Sequence, residues 1–188
     1  MTPTEARFSE AKHLEAVIKR RIKFVVEKGA MARLFKKGVN PELQQVLRSK
    51  IDVPALKALA IQKDFDAWHR EIVMYEGWAE FTERPIEQVR WGHFAKLANI
   101  VLYELVANNE IMTYEEAGRL RDLLHLPIDK RVLDFVRSLR RGVRLPDRLL
   151  GMTESDYRAI QQTIREEAAR LDIPAIWFED AWVSGVRA

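Results

Sequence analysis

The sequence contains no cysteine among its 188 residues. This absence excludes disulfide scaffolds, thiol catalysis, zinc ribbons and thiolate-held iron–sulfur clusters. Glycine and proline are also few, at 8 and 7 residues, which disfavours a sandwich or barrel with many turns. No apolar run reaches the roughly 18 residues that a membrane span needs. The sequence also lacks a glycine-rich phosphate loop and a Ser/His/Asp signature, so no common catalytic motif points to an activity.

Apolar residues make up 47% of the chain and recur at helical spacing along nearly all of it. No alternating strand pattern extends beyond a few residues. We therefore predict an all-α fold, a compact multi-helix bundle of about seven to nine helices in one domain, 1–188. Its predicted parts are basic N-terminal helices (4–50), central helices (53–107), a helix-turn-helix-like unit (113–148), and a C-terminal helix with a Trp-rich tail (153–188).

Local markers predict several helix boundaries. The wide apolar stripe that follows Ile86 predicts a helix at the centre of the bundle. A short helix is predicted over Met31–Lys37, and one long helix is predicted from Val53 to Tyr75. Side chains suited to N-caps precede four of the predicted helices: Asn40, Asp52, Thr113 and Thr153.

Positive charge is concentrated in two blocks. Residues 1–60 hold 13 basic and 6 acidic side chains, whereas residues 61–188 hold 18 and 22. Within that second part, Lys130–Arg148 carries seven basic and two acidic groups. Guanidinium and ammonium groups dominate contacts with phosphate backbones. The residues predicted to contact nucleic acid are Lys19, Arg20, Lys23, Lys130, Arg131, Arg137, Arg140, Arg141 and Arg144.

Residues 113–141 have the layout of a helix-turn-helix: a capped helix, a short Leu-Pro turn and a second helix rich in Lys and Arg. The segment Thr113-Tyr-Glu-Glu-Ala-x-x-Leu120 is similar to the start of this motif in many winged-helix DNA-binding domains. The resemblance implies that the second helix enters the major groove and that its later arginines meet phosphates. An ordinary αα-hairpin with a solvated basic face is the alternative.

The leading hypothesis from the sequence is a regulatory or accessory protein that binds nucleic acid, DNA rather than RNA, without a cofactor. Glu5, Arg7 and Glu10 stand where a signal peptide would be apolar, so a cytoplasmic location without a membrane partner is expected. The rival hypothesis is a helical interaction subunit with an acidic protein partner. Its aromatic interface patch would be formed by Trp177, Phe178 and Trp182, which otherwise pack in the core.

Three of the four histidines follow a carboxylate by three residues, which places both groups on one helix face. Helical-bundle di-iron proteins bind metal through Glu-x-x-His pairs with this spacing. Pairing between histidine and carboxylate at the surface explains the same spacing without a metal. The three pairs are Glu10/His13, Asp66/His69 and Asp122/His125.

An enzyme is the third hypothesis. Arg7/His13 and Arg119/His125 resemble the Arg-to-His spacing of HEPN, a small all-helical RNA-cleaving fold. The resemblance implies that the histidine acts as general base on a ribose 2′-hydroxyl while the arginine stabilises the phosphorane. In that family a polar residue usually follows the arginine, whereas Phe8 or Leu120 stands there in this sequence.

Overall fold

The computed structural model describes residues 9–28, 35–139 and 145–183, with the side chains of all except 28 and 181–183. Within these residues the chain forms nine α-helices and no strand, which confirms the predicted all-α bundle. A 3-10 helix, Glu76–Phe81, lies between the fourth and fifth. The nine helices are α1 (Glu10–Lys28), α2 (Asn40–Lys50), α3 (Val53–Ala58), α4 (Gln62–Val73), α5 (86–106), α6 (Tyr114–Leu123), α7 (Lys130–Ser138), α8 (Glu154–Arg170) and α9 (Trp177–Val183).

Helix α5 is the central helix, as its wide apolar stripe predicted. It begins at Ile86–Val89, passes through a π-helical segment at Arg90–Phe94 and continues as an α-helix over Ala95–Val106. Helices α1, α4 and α6 pack against this last part. Although α5 is apolar on most sides, neither it nor any other described helix has the length and composition needed to span a membrane.

The π segment of α5 is the docking point for the loop before α8. The backbone N–H of Gly151 donates to the Gln88 carbonyl at 2.7 Å. Gly92 leaves room for this loop, because a Cβ atom at that position would overlap the carbonyl group of Leu149. The neighbouring Trp91 lines a cavity beside α8. The local widening of the helix therefore both accepts a loop and places an aromatic side chain at a cavity.

Most of the predicted N-caps are confirmed. Thr113 and Thr153 each form a capping box, in which the threonine and the third residue of the helix satisfy each other's backbone N–H. The side chain of Asp52 accepts a hydrogen bond from the first turn of α3. Asn40 was wrongly assigned as a cap, since it lies inside α2 and the capping position is Val39, which makes no side-chain cap.

The prediction of a single long helix from Val53 to Tyr75 is wrong, because the chain forms two helices there, α3 and α4. Leu59 is extended after the end of α3. Arg119 of α6 donates hydrogen bonds to the carbonyl oxygens of Lys57 at 2.6 Å and Leu59 at 3.2 Å. These carbonyls thus find their partners in a side chain distant in sequence, and not in a continued helix.

The short helix predicted over Met31–Lys37 lies mostly outside the described residues, and its last part is not helical. Phe35 pairs with Thr82 in an isolated antiparallel bridge. Lys36 N donates to the Phe81 carbonyl oxygen at 3.0 Å. Backbone pairing with the segment before α5 replaces the local helical bonds at Phe35 and Lys36.

The connection between α6 and α7, residues 124–129, runs through the interior. Residues 124–128 are all buried. Helix α6 packs against α5, and α7 packs against α8. A buried connection needs hydrogen-bond partners for its backbone groups, and these partners define the site described next. The assignment of a helix-turn-helix to this region stays a prediction.

Candidate functional site

A cavity of about 280 Å³ opens between α4, α8, the π segment of α5 and the connection 124–129. Its wall combines aromatic rings with a small number of convergent polar groups, which is typical of ligand-binding sites. Helix α4 contributes Asp66 and His69, the π segment Trp91, the connection His125, and α8 contributes Tyr157, Arg158, Gln161, Gln162 and Arg165.

Asn99, on α5, is the centre of a buried hydrogen-bond network beside the cavity. Its Nδ2 donates to the Leu126 carbonyl oxygen at 3.2 Å and to the Tyr157 hydroxyl at 2.9 Å. Its Oδ1 lies 2.7 Å from Nε2 of His69. The Tyr157 hydroxyl in turn lies 2.9 Å from Nδ1 of His125. One amide therefore links both histidines of the cavity.

Both backbone polar groups of Leu126 are bound by Gln161. Gln161 accepts from Leu126 N at 3.0 Å through Oε1, and donates to Leu126 O at 2.8 Å through Nε2. Pro127 follows and has no N–H of its own. The backbone groups of Leu126, within the buried connection, are thus satisfied by Gln161 together with Asn99.

The carbonyl of Leu126 fixes where the protons lie in this network. A carbonyl oxygen only accepts, so Asn99 must turn its NH₂ group toward Leu126 and its oxygen toward His69. His69 therefore carries its hydrogen on Nε2. The second N–H of Asn99 is donated to the oxygen of Tyr157, so the hydroxyl hydrogen of Tyr157 is directed elsewhere.

That hydroxyl hydrogen is donated to Nδ1 of His125, which places the hydrogen of His125 on Nε2. This Nε2–H donates to Oδ1 of Asp66 at 2.7 Å, and Gln62 Nε2 donates to the same oxygen at 2.7 Å. Burial alone would raise the pKa of Asp66, but these two hydrogen bonds and the nearby positive charge hold it at about 2. Asp66 is therefore ionised, and both nitrogens of His125 have partners.

Burial also keeps both histidines neutral at pH 7. His69 is 1% exposed and His125 is 6% exposed. Burial, with the neighbouring His125, lowers the pKa of His69 well below its ordinary value. Burial lowers the pKa of His125 by more than the Asp66 carboxylate raises it. Their ring centroids lie 4.6 Å apart, a spacing at which two positive charges would repel strongly.

The arginines give the cavity a positive balance. Arg158 and Arg70 share one carboxylate, Glu154, at 2.8 Å and 2.9 Å. Arg165 Nη1 lies 3.8 Å from Asp66 Oδ1 and is buried without a hydrogen-bond partner in the described part of the chain. Among the residues that line the cavity, the guanidinium groups of Arg158 and Arg165 thus face one carboxylate, that of Asp66, while the two histidines are neutral.

Known proteins give no guide to what this cavity does. No protein-family model matches the chain, and no curated protein or solved structure does. A fold alone does not determine an activity, which depends on the residues of the site. The function is therefore inferred from the cavity and from the charged surface.

The predicted nucleic-acid residues of the second basic block are exposed but have nearby acidic partners. Asp134 lies 2.7 Å from Lys130 and 2.9 Å from Arg137. Arg131 lies 4.0 Å from Asp129. The predicted contacts Arg140, Arg141 and Arg144 lie outside the described residues.

The first basic block is carried by a different part of the bundle. Lys23 lies 3.8 Å from Glu27, whereas Lys19 and Arg20 are exposed and form no ion pair within the described residues. Helix α1 packs against α2 and α5, and α7 packs against α8. The two basic blocks therefore lie on helices with different neighbours.

The predicted aromatic interface patch is divided. Phe178 is 7% exposed and packs against Phe135, with 5.0 Å between ring centroids, so it belongs to the core. Trp177 is 47% exposed. The side chain of Trp182 lies outside the described residues. An interface at Trp177 stays a prediction.

Each histidine of the carboxylate–histidine pairs predicted from spacing contacts a different partner in the structure. Asp66 binds His125 at 2.7 Å, and exposed His13 pairs with Glu110 at 2.8 Å. His69 instead donates to Asn99. Among the described residues, no group of three or more His, Asp or Glu side chains is arranged to hold a metal ion.

The arginine and the histidine of the Arg119/His125 pair likewise contact different groups. Arg119 donates to backbone carbonyls at the end of α3, whereas His125 contacts Asp66 and Tyr157. Arg7 lies outside the described residues. The Arg119/His125 spacing thus serves two different structural contacts.

The sequence patterns do not predict Asn99, Tyr157 and Gln161 as site residues. One signal was present: Asn99 and Gln161 are amides at positions where their helices bury apolar side chains. Buried amides need hydrogen-bond partners. They therefore indicate a polar interior site, although the spacing does not show which residues they contact.

Proposed function

We propose that the protein binds a small, single-ring organic anion in the cavity between α4 and α8. The observation that carries this proposal is Arg165, whose Nη1 is a buried donor without a hydrogen-bond partner within the described residues. Its nearest carboxylate, Asp66, already accepts from His125 and Gln62 at the oxygen that Arg165 faces. A guanidinium with unused donors suits a carboxylate or phosphate group.

The dimensions and walls of the cavity fit a single ring. Its volume is about 280 Å³, whereas an engineered apolar cavity of about 150 Å³ already binds benzene. Trp91 and Tyr157 lie 5.2 Å apart by ring centroids, and His69 stacks against Tyr157 at 5.9 Å. These rings provide an aromatic wall, and the arginines provide the charge.

The polar groups of the site are also held by hydrogen bonds within the protein. Asn99 and Gln161 fix the Leu126 carbonyl group, and Asn99 and Tyr157 fix the two histidines. A preorganised pocket loses little conformational entropy on binding. The hydrogen-bond network therefore supports affinity even for a small ligand.

A comparison of four matched probes tests the proposal: benzoate, phenyl phosphate, benzyl alcohol and benzylammonium. We expect the two anions to bind and benzylammonium not to bind, because the arginines outnumber the carboxylates. An NMR titration of the tryptophan indole signals would measure this. Arg165→Gln should weaken benzoate binding by roughly ten-fold, the loss of one charge-assisted hydrogen bond.

Arg20→Gln is the matched control, because Arg20 is exposed on α1 and does not line the cavity. Its benzoate affinity should equal that of the unmodified protein. The proposal would be contradicted if neither anion showed saturable binding. It would also be contradicted if benzylammonium bound as tightly as benzoate. An unchanged affinity in Arg165→Gln would contradict the role of this arginine.

Nucleic-acid binding is a second candidate function, supported by the exposed Lys19 and Arg20 without ion pairs in the described region. The ion pairs of Lys130 and Arg137 are exposed on the surface. Exposed pairs contribute at most about 1 kcal/mol each, so phosphates can compete for these cations. This candidate uses a surface separate from the cavity.

Fluorescence anisotropy with duplex DNA and with single-stranded RNA at about 50 mM and about 200 mM salt tests this second function. Lys19→Glu/Arg20→Glu should weaken binding strongly. Lys63→Glu/Arg170→Glu is the control, since it makes the same change in net charge outside both basic blocks. If neither nucleic acid binds at the lower salt concentration, the second candidate is wrong.

A further inference from the structure

His69 offers the cavity a nitrogen atom that the described part of the protein does not use. Its Nε2 contacts Asn99 Oδ1 at 2.7 Å, whereas Nδ1 has no hydrogen bond to any described residue. His69 lines the cavity, so Nδ1 is the ring nitrogen left for a ligand there.

The chemical state of this nitrogen follows from the backbone. The Leu126 carbonyl orients Asn99, and Asn99 Oδ1 requires the hydrogen of His69 to be on Nε2. Nδ1 therefore carries a lone pair that can accept a hydrogen bond, and the lowered pKa of His69 keeps this nitrogen unprotonated at neutral pH. His125 offers no equivalent atom, because Tyr157 and Asp66 occupy both of its nitrogens.

We infer that the ligand of this cavity is a small anion that also carries an N–H or O–H donor, which Nδ1 of His69 accepts. The inference rests on the proposed function, in which the arginines bind the anionic group. An acid whose ring carries an N–H or a hydroxyl group has both features, whereas an acid with only acceptors leaves Nδ1 unpaired. A site built to accept a hydrogen bond discriminates against such an analogue, because the unpaired polar atom loses its water.

Pyrrole-2-carboxylate and furan-2-carboxylate form the test pair. They have the same charge and ring size, and they differ in an N–H donor against a ring oxygen acceptor. We expect the unmodified protein to bind the pyrrole acid roughly ten-fold more tightly. In His69→Phe, which removes the acceptor and retains a ring, the preference should fall below about two-fold.

Nitrogen-15 NMR of the imidazole rings provides a measurement that needs no variant. In the free protein the proton of His69 should be on Nε2. Addition of pyrrole-2-carboxylate should shift the Nδ1 resonance of His69 upfield, toward that of a hydrogen-bonded nitrogen, and furan-2-carboxylate should leave it unchanged.

The outcomes separate this inference from the proposed function. Equal affinity for the two acids would overturn the donor requirement while the anion site stands. A proton on Nδ1 of His69 in the free protein, or a pyrrole preference that persists in His69→Phe, would also overturn it. Failure of both acids and of benzoate to bind would remove the anion site itself, and this inference with it.

Discussion

The hydroxyl group of Tyr157 lies 2.9 Å from Nδ1 of His125, in the interior of the bundle. The same hydroxyl accepts a hydrogen bond from Asn99. Tyr157 comes from α8, His125 from the connection before α7 and Asn99 from α5, so this hydroxyl joins three parts of the fold. The stability of the cavity wall should therefore depend on a single oxygen atom.

Tyr157→Phe removes that oxygen and keeps the ring. We expect it to lower the free energy of unfolding by about 1–3 kcal/mol, because His125 and Asn99 each lose a partner inside the protein. Urea denaturation would measure the change. The control is Tyr114→Phe, since Tyr114 is 93% exposed, and its effect should stay within about 0.5 kcal/mol. Equal effects of the two substitutions would show that the buried hydroxyl contributes nothing.

Gly92→Ala tests the docking of the loop on the π segment. The added Cβ would lie 2.7 Å from the carbonyl carbon of Leu149 and closer still to its oxygen. The backbone at Gly92 or at Leu149 must shift to relieve this overlap, so we expect a loss of about 1–3 kcal/mol in the free energy of unfolding. Thermal unfolding followed by circular dichroism would detect it as a lower melting temperature.

Gly118→Ala is the matched control for this substitution. Gly118 lies within α6, and a Cβ added there has no other atom within 4 Å. Alanine favours a helix interior over glycine by about 1 kcal/mol. The control should therefore stabilise the protein while Gly92→Ala destabilises it, and changes of the same sign would argue against a packing requirement at Gly92.

The fold was largely predictable from the sequence because its determinants are local. The capping boxes of Thr113 and Thr153 each lie within four residues and predict where their helices begin, and the apolar stripe of α5 predicts a central helix. The backbone carbonyls at the break between α3 and α4 are bound instead by Arg119, about sixty positions away in sequence. Helical spacing within one segment contains no information about such a contact.

The candidate site was less predictable for the same reason. The spacing drew attention to His69 and His125, but it paired each with a carboxylate on its own helix. In the structure, His69 binds Asn99, and His125 binds Asp66 of another helix. Which side chains meet is decided by how α4, α5 and α8 pack together, so a local pattern identified the histidines and not their partners.

Arg119→Met tests the interaction that ends α3. The substitution keeps part of the apolar side chain and removes hydrogen bonds to the Lys57 and Leu59 carbonyls. We expect a loss of about 1–2 kcal/mol by urea denaturation. Arg20→Met is the control, because Arg20 is exposed and should tolerate the change. A loss no larger than that of the control would show that these carbonyls are equally satisfied by water.

The stability of the protein should fall on mild acidification. Unfolded histidine binds a proton near pH 6.5, whereas burial lowers the pKa of His69 and His125 and lowers that of His93 to about 4. As the pH falls through about 6.5, the unfolded state binds more protons than the folded state, so the free energy of unfolding decreases.

Between about pH 7.5 and about pH 5.5, the two most buried histidines, His69 and His125, together contribute a loss of up to about 3 kcal/mol. Urea denaturation at both pH values measures it. His69→Gln should reduce this pH-dependent difference by up to about half, whatever its effect on stability at pH 7.5. Equal stability at the two pH values would mean that the buried histidines become protonated in the folded protein as readily as in the unfolded chain.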